Sequence, residues 1–149
     1  MKTLRLFKIA SVAFTMGLLL NQSSFADTPK TVIGRNQVQD PLVLNGTSRG
    51  GVKGNCGNIN TAPNQIIEVT EPLPYLRLTV ESERQPTLLI SGPGGRFCVF
   101  ADSYSGGKAE LSGYWQPGKY LLYVGYIGDL SQDKFNYTLA ISQQRQVLK

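Results

Sequence analysis

The sequence predicts an all-β protein, a single antiparallel β-sandwich of jelly-roll type with about eight strands. Three observations carry the prediction. Short stretches between residues 85 and 142 alternate apolar and polar side chains with period two. Turns bearing Gly and Pro separate these stretches. No segment after residue 26 shows helical periodicity.

The first 26 residues read as an export leader. Lys2, Arg5 and Lys8 make a basic head, and residues 9–20 an apolar stretch too short to span a membrane. Ser24-Phe25-Ala26 supplies a small-residue cleavage site. Cleavage after Ala26 is expected to send the chain to the periplasm or the medium, with no stable membrane anchor. An uncleaved anchor is the alternative. No cysteine stands at the cleavage site, so a lipid anchor is not expected. Residues 27–38 read as a flexible lead-in, residues 39–142 as the sandwich domain and residues 143–149 as a frayed polar tail.

Within the sandwich, residues 39–44 form a short strand, which Pro41 places at an edge or a strand start. Residues 45–57 (NGTSRGGVKGNCG) read as a Gly-rich surface loop, without the spacing of a phosphate-binding loop. Residues 65–69 are a strand, and Pro72 and Pro74 separate it from the next. There Leu76, Leu78 and Val80 alternate with Tyr75, Arg77 and Thr79, the pattern of a half-buried strand. Leu88-Leu89-Ile90 is a continuous apolar run entered at Pro86. Gly92-Pro93-Gly94-Gly95 turns it back into residues 96–100, which carry Cys98.

After a loop at 103–108 comes a short strand at 109–113. Gln116-Pro117-Gly118 turns into a strand at 119–126, with Tyr120, Leu122, Val124 and Tyr126 on one face. Residues 128–133 form another loop. In the last strand Phe135, Tyr137, Leu139 and Ile141 face one way, and Asn136, Thr138, Ala140 and Ser142 the other. A one-residue slip would turn that whole apolar set to solvent, so its register is fixed.

Cleavage of the leader removes three of the fifteen basic residues and no acidic one. Twelve Lys and Arg then face ten Asp and Glu, a net charge of +2. With no Lys/Arg cluster, a nucleic-acid partner is not expected. In an exported chain the two cysteines, Cys56 and Cys98, read as a disulfide; two buried free thiols are the other reading. Histidine is absent. Its absence removes Ser-His-Asp and Cys-His nucleophiles, His-bearing zinc sites and imidazole acid/base chemistry.

Several runs, taken in order, are similar to one known domain. They are Gln85-Pro86-Thr87-Leu88-Leu89-Ile90, Gly92-Pro93-Gly94-Gly95 with Cys98, and Gly113-Tyr114-Trp115-Gln116-Pro117-Gly118-Lys119-Tyr120. Tyr123-Val124-Gly125 and Tyr137-Thr138-Leu139-Ala140-Ile141 follow. From about residue 41 to 142 the chain resembles the bacterial pre-peptidase C-terminal domain and its secreted relatives. The resemblance implies a non-catalytic β-sandwich of the kind carried by secreted proteases and other exported enzymes, here as a stand-alone version. Some such domains bind calcium or insoluble substrates. Relatives often carry an acidic pair just after the cysteine, whereas this chain has Val99-Phe100-Ala101-Asp102 with one carboxylate. That departure weighs against an inherited metal role there.

Three groups of residues are candidates for function. Asp102, Asp129 and Asp133 are the acids of the long C-terminal loops and would be the ligands if calcium binds, although no Asp-x-Asp-x-Asp spacing is present. Solvated turn acids are the other reading, and no further cofactor is expected. Tyr104, Tyr114, Trp115, Tyr123 and Tyr126 offer aromatic platforms for sugar faces or protein contacts. Against that, Trp115 is expected to cover the core, and at least half of these rings to be structural. Glu81 and Glu83 are a carboxylate pair at i and i+2, but residues 81–84 look like a turn, so glycoside hydrolysis is not expected.

These residues describe an exported binding or accessory module without enzyme activity. Its partner would be another extracytoplasmic protein or a cell-envelope polymer such as a polysaccharide. A structural or stabilising subunit of an extracytoplasmic complex is one alternative, and a calcium-dependent adhesion module another.

Overall fold

The computed structural model of the chain describes residues 28–146. The leader at 1–26 lies outside the described residues. Eleven strands and no helix occur among the described residues. They are β1 (Lys30–Ile33), β2 (Leu42–Ser48), β3 (Val52–Gly54), β4 (Gly57–Ile59), β5 (Gln65–Val69) and β6 (Leu73–Ser82). Then follow β7 (Pro86–Gly92), β8 (Gly95–Phe100), β9 (Ala109–Trp115), β10 (Gly118–Tyr126) and β11 (Phe135–Ser142).

The eight longer strands make the expected sandwich. One sheet has the order β2-β11-β6-β9. In the other, β10 is central, with β5 on one side and β7 then β8 on the other. The pairings nest: first strand with last (β2 and β11), second with second-last (β5 and β10), then β6 with β9 and β7 with β8, all antiparallel. A long hairpin folded over in this way is a jelly roll.

The faces expected from alternation are the faces that pack. Leu76, Leu78 and Val80 of β6, Leu139 and Ile141 of β11, and Leu122 and Val124 of β10 are fully buried. Phe135, Tyr137, Tyr120, Tyr126 and Trp115 join them in a single core between the sheets. Burying each such side chain contributes roughly 1.5–3 kcal/mol.

The three short strands correct the sequence reading. Lys30–Ile33 is a strand inside the expected lead-in, pairing in parallel with β5 and burying Ile33. Only one of its four residues is buried, so the partner strand holds it, and an isolated pattern gives no signal. The Gly-rich stretch is not one loop. β2 runs on to Ser48, and β3 and β4 form a hairpin. Gln143, the first residue of the expected frayed tail, is anchored. The Gln143 amide N–H donates to the Asp40 carboxylate at 2.8 Å, and its side-chain amide donates to the Gly34 carbonyl at 2.7 Å. The Asp40–Pro41 peptide bond is cis.

The β3–β4 hairpin leans over the outer face of the first sheet. It crosses β10 at Gly125, where a Cβ would sit 2.5 Å from the Asn58 carbonyl oxygen, so only glycine fits. Beyond this crossing Cys56 forms a disulfide with Cys98 of β8, their Cα atoms 5.6 Å apart. The hairpin and disulfide cover Leu89, which explains why Leu88-Leu89-Ile90 is apolar on both faces.

A second glycine matters on β2. Gly46 lies opposite Tyr137, and a Cβ there would run into the tyrosine ring. The ring thereby reaches the interior, where the Gln65 side-chain amide donates to the Tyr137 hydroxyl at 3.0 Å. Burial raises the Tyr137 pKa above its ordinary 10.0, with the Gln65 bond pulling the other way. Burial also raises Tyr120, although the hydrogen bond to Gln116 opposes it.

For a raised acid the folded state keeps the proton longer than the unfolded state. The stabilisation is complete below about pH 10 and is lost as pH climbs through the raised values. Tyrosinate absorbance should therefore show Tyr120 and Tyr137 ionising at higher pH in the folded chain than in the unfolded one. Early, reversible ionisation of all seven tyrosines with the fold intact would contradict this.

Candidate functional site

The sandwich is open along one side. There β8 is the outer strand of one sheet and β9 the outer strand of the other, each paired on one edge only. Gly95, Phe97 and Val99 of β8 alternate inward, as do Leu111, Gly113 and Trp115 of β9. β8 opens at Gly95 with φ +110°, a conformation glycine adopts without strain. It leaves Phe97 at the mouth of the opening, 45% exposed.

Between the two edges lies a cleft of about 370 Å³. Its floor is core: Ile90, Tyr120 and Trp115, each 5% exposed or less. The Trp115 and Tyr120 rings meet at 4.6 Å with a 55° tilt. The Tyr120 hydroxyl donates to the Gln116 carbonyl at 2.8 Å, which fixes the strand-to-strand turn at the cleft's end. Leu111 and Phe97 form the walls, and Tyr114, 65% exposed, stands at the rim. Residues 111–115, a continuous run of β9, all line the cleft, whereas β8 contributes Phe97.

The structure divides the aromatic candidates. Tyr114 and Trp115 both reach this cleft, Trp115 from the core side and Tyr114 from the outside. Tyr123 lies half-buried on the outer face of the first sheet, opposite Leu89. Tyr104 is fully exposed on the β8–β9 loop, over the outer face of the second sheet. Tyr126 is buried, its hydroxyl accepting from the Ser131 amide at 2.7 Å. These rings form no common platform, because neighbours on a strand point to opposite faces.

The three acidic candidates do not gather into one cluster. Asp102 accepts from the Ser105 amide at 2.7 Å and closes its own turn. Asp133 accepts from the Ser131 hydroxyl at 3.1 Å, and Asp129 lies in the same loop. Among the described residues no three acidic or cysteine side chains gather as a metal-binding group. Glu81 sits on β6, not in a turn, and pairs with Lys108, while Glu83 lies beyond the strand end.

Sequence reasoning missed Phe97 and Leu111. Alternation places both facing inward, yet which strands end as edges depends on tertiary pairing.

No family model matches the chain. It is 38% identical over 88 residues to an uncharacterized protein of Synechococcus elongatus. The aligned part is 56% of this chain and 64% of the relative, just under two thirds of that protein's length. Among solved structures it is similar to the pre-peptidase C-terminal domain of a Bacillus anthracis collagenase. That likeness has a TM-score of 0.48 and 18% identity, over 78% of this chain and 97% of that one. It is also similar to a periplasmic inhibitor of g-type lysozyme from Salmonella Typhimurium, at TM-score 0.46 and 16% identity, over 76% and 96%.

Proposed function

We propose that this protein is an exported, non-catalytic binding module that takes an extended apolar segment of another extracytoplasmic protein at the β8/β9 opening. The observation that carries the reading is the apolar cleft between two unpaired strand edges, with Phe97 and Tyr114 exposed at its mouth. A concave apolar site beside free backbone donors and acceptors suits a peptide that adds as a strand. Its main chain would pair with β9, and alternate side chains would enter the cleft.

Export is supported by the disulfide and by the features of the leader. The non-catalytic reading is supported by the absence of histidine and by the engagement of the acids near clefts. Glu81 is paired with Lys108, and Glu110 accepts from Thr79 at 3.2 Å. The reading invokes no cofactor.

Selection from a random displayed-peptide library tests it. Peptides with apolar residues at alternate positions should be enriched, and Phe97→Asp should weaken them about 30-fold, as loss of an aromatic anchor does. Phe97 is an edge residue, so the variant should keep its fold. Enriched peptides indifferent to Phe97→Asp would sink the proposal. Retention on an insoluble polysaccharide, abolished by Phe97→Asp with no peptide enriched, would replace the protein partner by the polymer.

A further inference from the structure

The outer face of the second sheet carries a second cleft, unlike the first in chemistry. Across β11, β6 and β9, Ala140, Thr79 and Glu110 form one row, and Ser142, Arg77 and Ser112 the next. Of these, Ala140, Thr79, Glu110, Ser142 and Arg77 line the cleft floor. The β8–β9 loop walls one side and is fixed by its own turn, the Gly107 amide donating to the Asp102 carbonyl at 2.8 Å. The anchored segment after β11 walls the other, Arg145 lying 4.8 Å from the Tyr75 ring. The enclosed volume is about 400 Å³ and its lining is mostly polar, in the size range of small-molecule sites.

Arg77 is the informative residue. Lys108 at the cleft is paired with Glu81. Arg77 has no carboxylate partner among the described residues, and its Nη1 is buried without a hydrogen-bond partner. Arg77 also lines the cleft, so a ligand there would bond the guanidinium through the atoms that face it. Its planar fork matches a carboxylate in two-point fashion. Around it, Glu110 and Glu81 accept hydrogen bonds only, and Thr79 offers a hydroxyl. Over the opening stands the fully exposed ring of Tyr104.

We infer that this cleft binds a carboxylate-bearing sugar, a uronate unit of an acidic polysaccharide. Arg77 holds the sugar carboxylate, Glu110 and Glu81 take donated bonds from ring hydroxyls, and Tyr104 covers the apolar face of the ring. This site is separate from the β8/β9 opening and does not depend on the reading given to it.

Titration of the purified chain with an oligogalacturonate, followed by NMR shifts, tests the assignment. The shifts should fall on β6, β9, the start of the C-terminal segment and the loop carrying Tyr104. The neutral galactose oligomer of equal length should bind at least about tenfold more weakly, as should the uronate to Arg77→Gln. Tyr104→Ala, which removes a fully exposed side chain and leaves the fold alone, should cost about fivefold. Phe97→Asp should change nothing. Equal affinity for the neutral oligomer, no response to Tyr104→Ala, or tighter binding of an acidic peptide at these residues would overturn the assignment.

Discussion

Replacing Cys56 and Cys98 together by serine is expected to lower stability by about 4 kcal/mol. The two are 42 residues apart in sequence, and opening a loop of that length gives the unfolded chain most of this figure as entropy. The native state loses something as well. The disulfide ties the β3–β4 hairpin across the first sheet to its outer strand β8, and the hairpin covers Leu89. Every residue of β3 is exposed, so the hairpin has little apolar contact of its own to hold it. Guanidinium unfolding of the double variant should show the full loss, with faster hydrogen exchange at β3 and β4. A loss under about 1 kcal/mol would mean that the hairpin is held by other contacts.

The second large effect is expected at Tyr126. The residue is 2% exposed at the end of β10. Its ring meets Phe135 edge-on at 5.3 Å and lies under the Arg84 guanidinium at 4.4 Å. Its hydroxyl accepts from the Ser131 amide and donates to the Ser131 carbonyl at 3.2 Å, pinning the loop from β10 to β11. Tyr126→Ala should cost about 4 kcal/mol through the cavity and the lost aromatic contacts. Tyr126→Phe should cost about 1 kcal/mol, the hydrogen bonds alone. Denaturant unfolding of both variants separates the two parts. Equal losses would place the stabilisation in the hydroxyl, not the ring.

What the sequence made legible follows from what each strand buries. β6, β10 and β11 bury one face each, so alternation revealed both their presence and their inward sides. Trp115 could be placed over the core because it stands beside the Pro117-Gly118 turn. β1 and β3 were hidden for the opposite reason. β1 buries only Ile33 and β3 buries nothing, so both exist through backbone pairing with a partner. The Gly-rich run concealed three close approaches: Gly46 beneath Tyr137, Gly50 against the Tyr126 ring and Gly57 against the Tyr126 carbonyl.

The site was less legible than the fold. Tyr114 and Trp115 were singled out for their rings, but the cleft they share depends on β8 and β9 both being edges. Period-two patterning does not carry that information. Arg77 read as an ordinary outward residue of a half-buried strand. Its buried, unpaired nitrogen is a property of the packed chain, which alternation along β6 does not carry.

The central claim is that β9 offers its free edge to an extended partner segment. Amide hydrogen exchange with and without a selected peptide tests it most directly. Bound peptide should slow exchange at residues 111–115 of β9 by at least about tenfold, as new ladder bonds protect edge amides, while the β2 edge stays unchanged. Saturating peptide that leaves β9 exchange unaltered, or that protects β2 instead, would contradict the account.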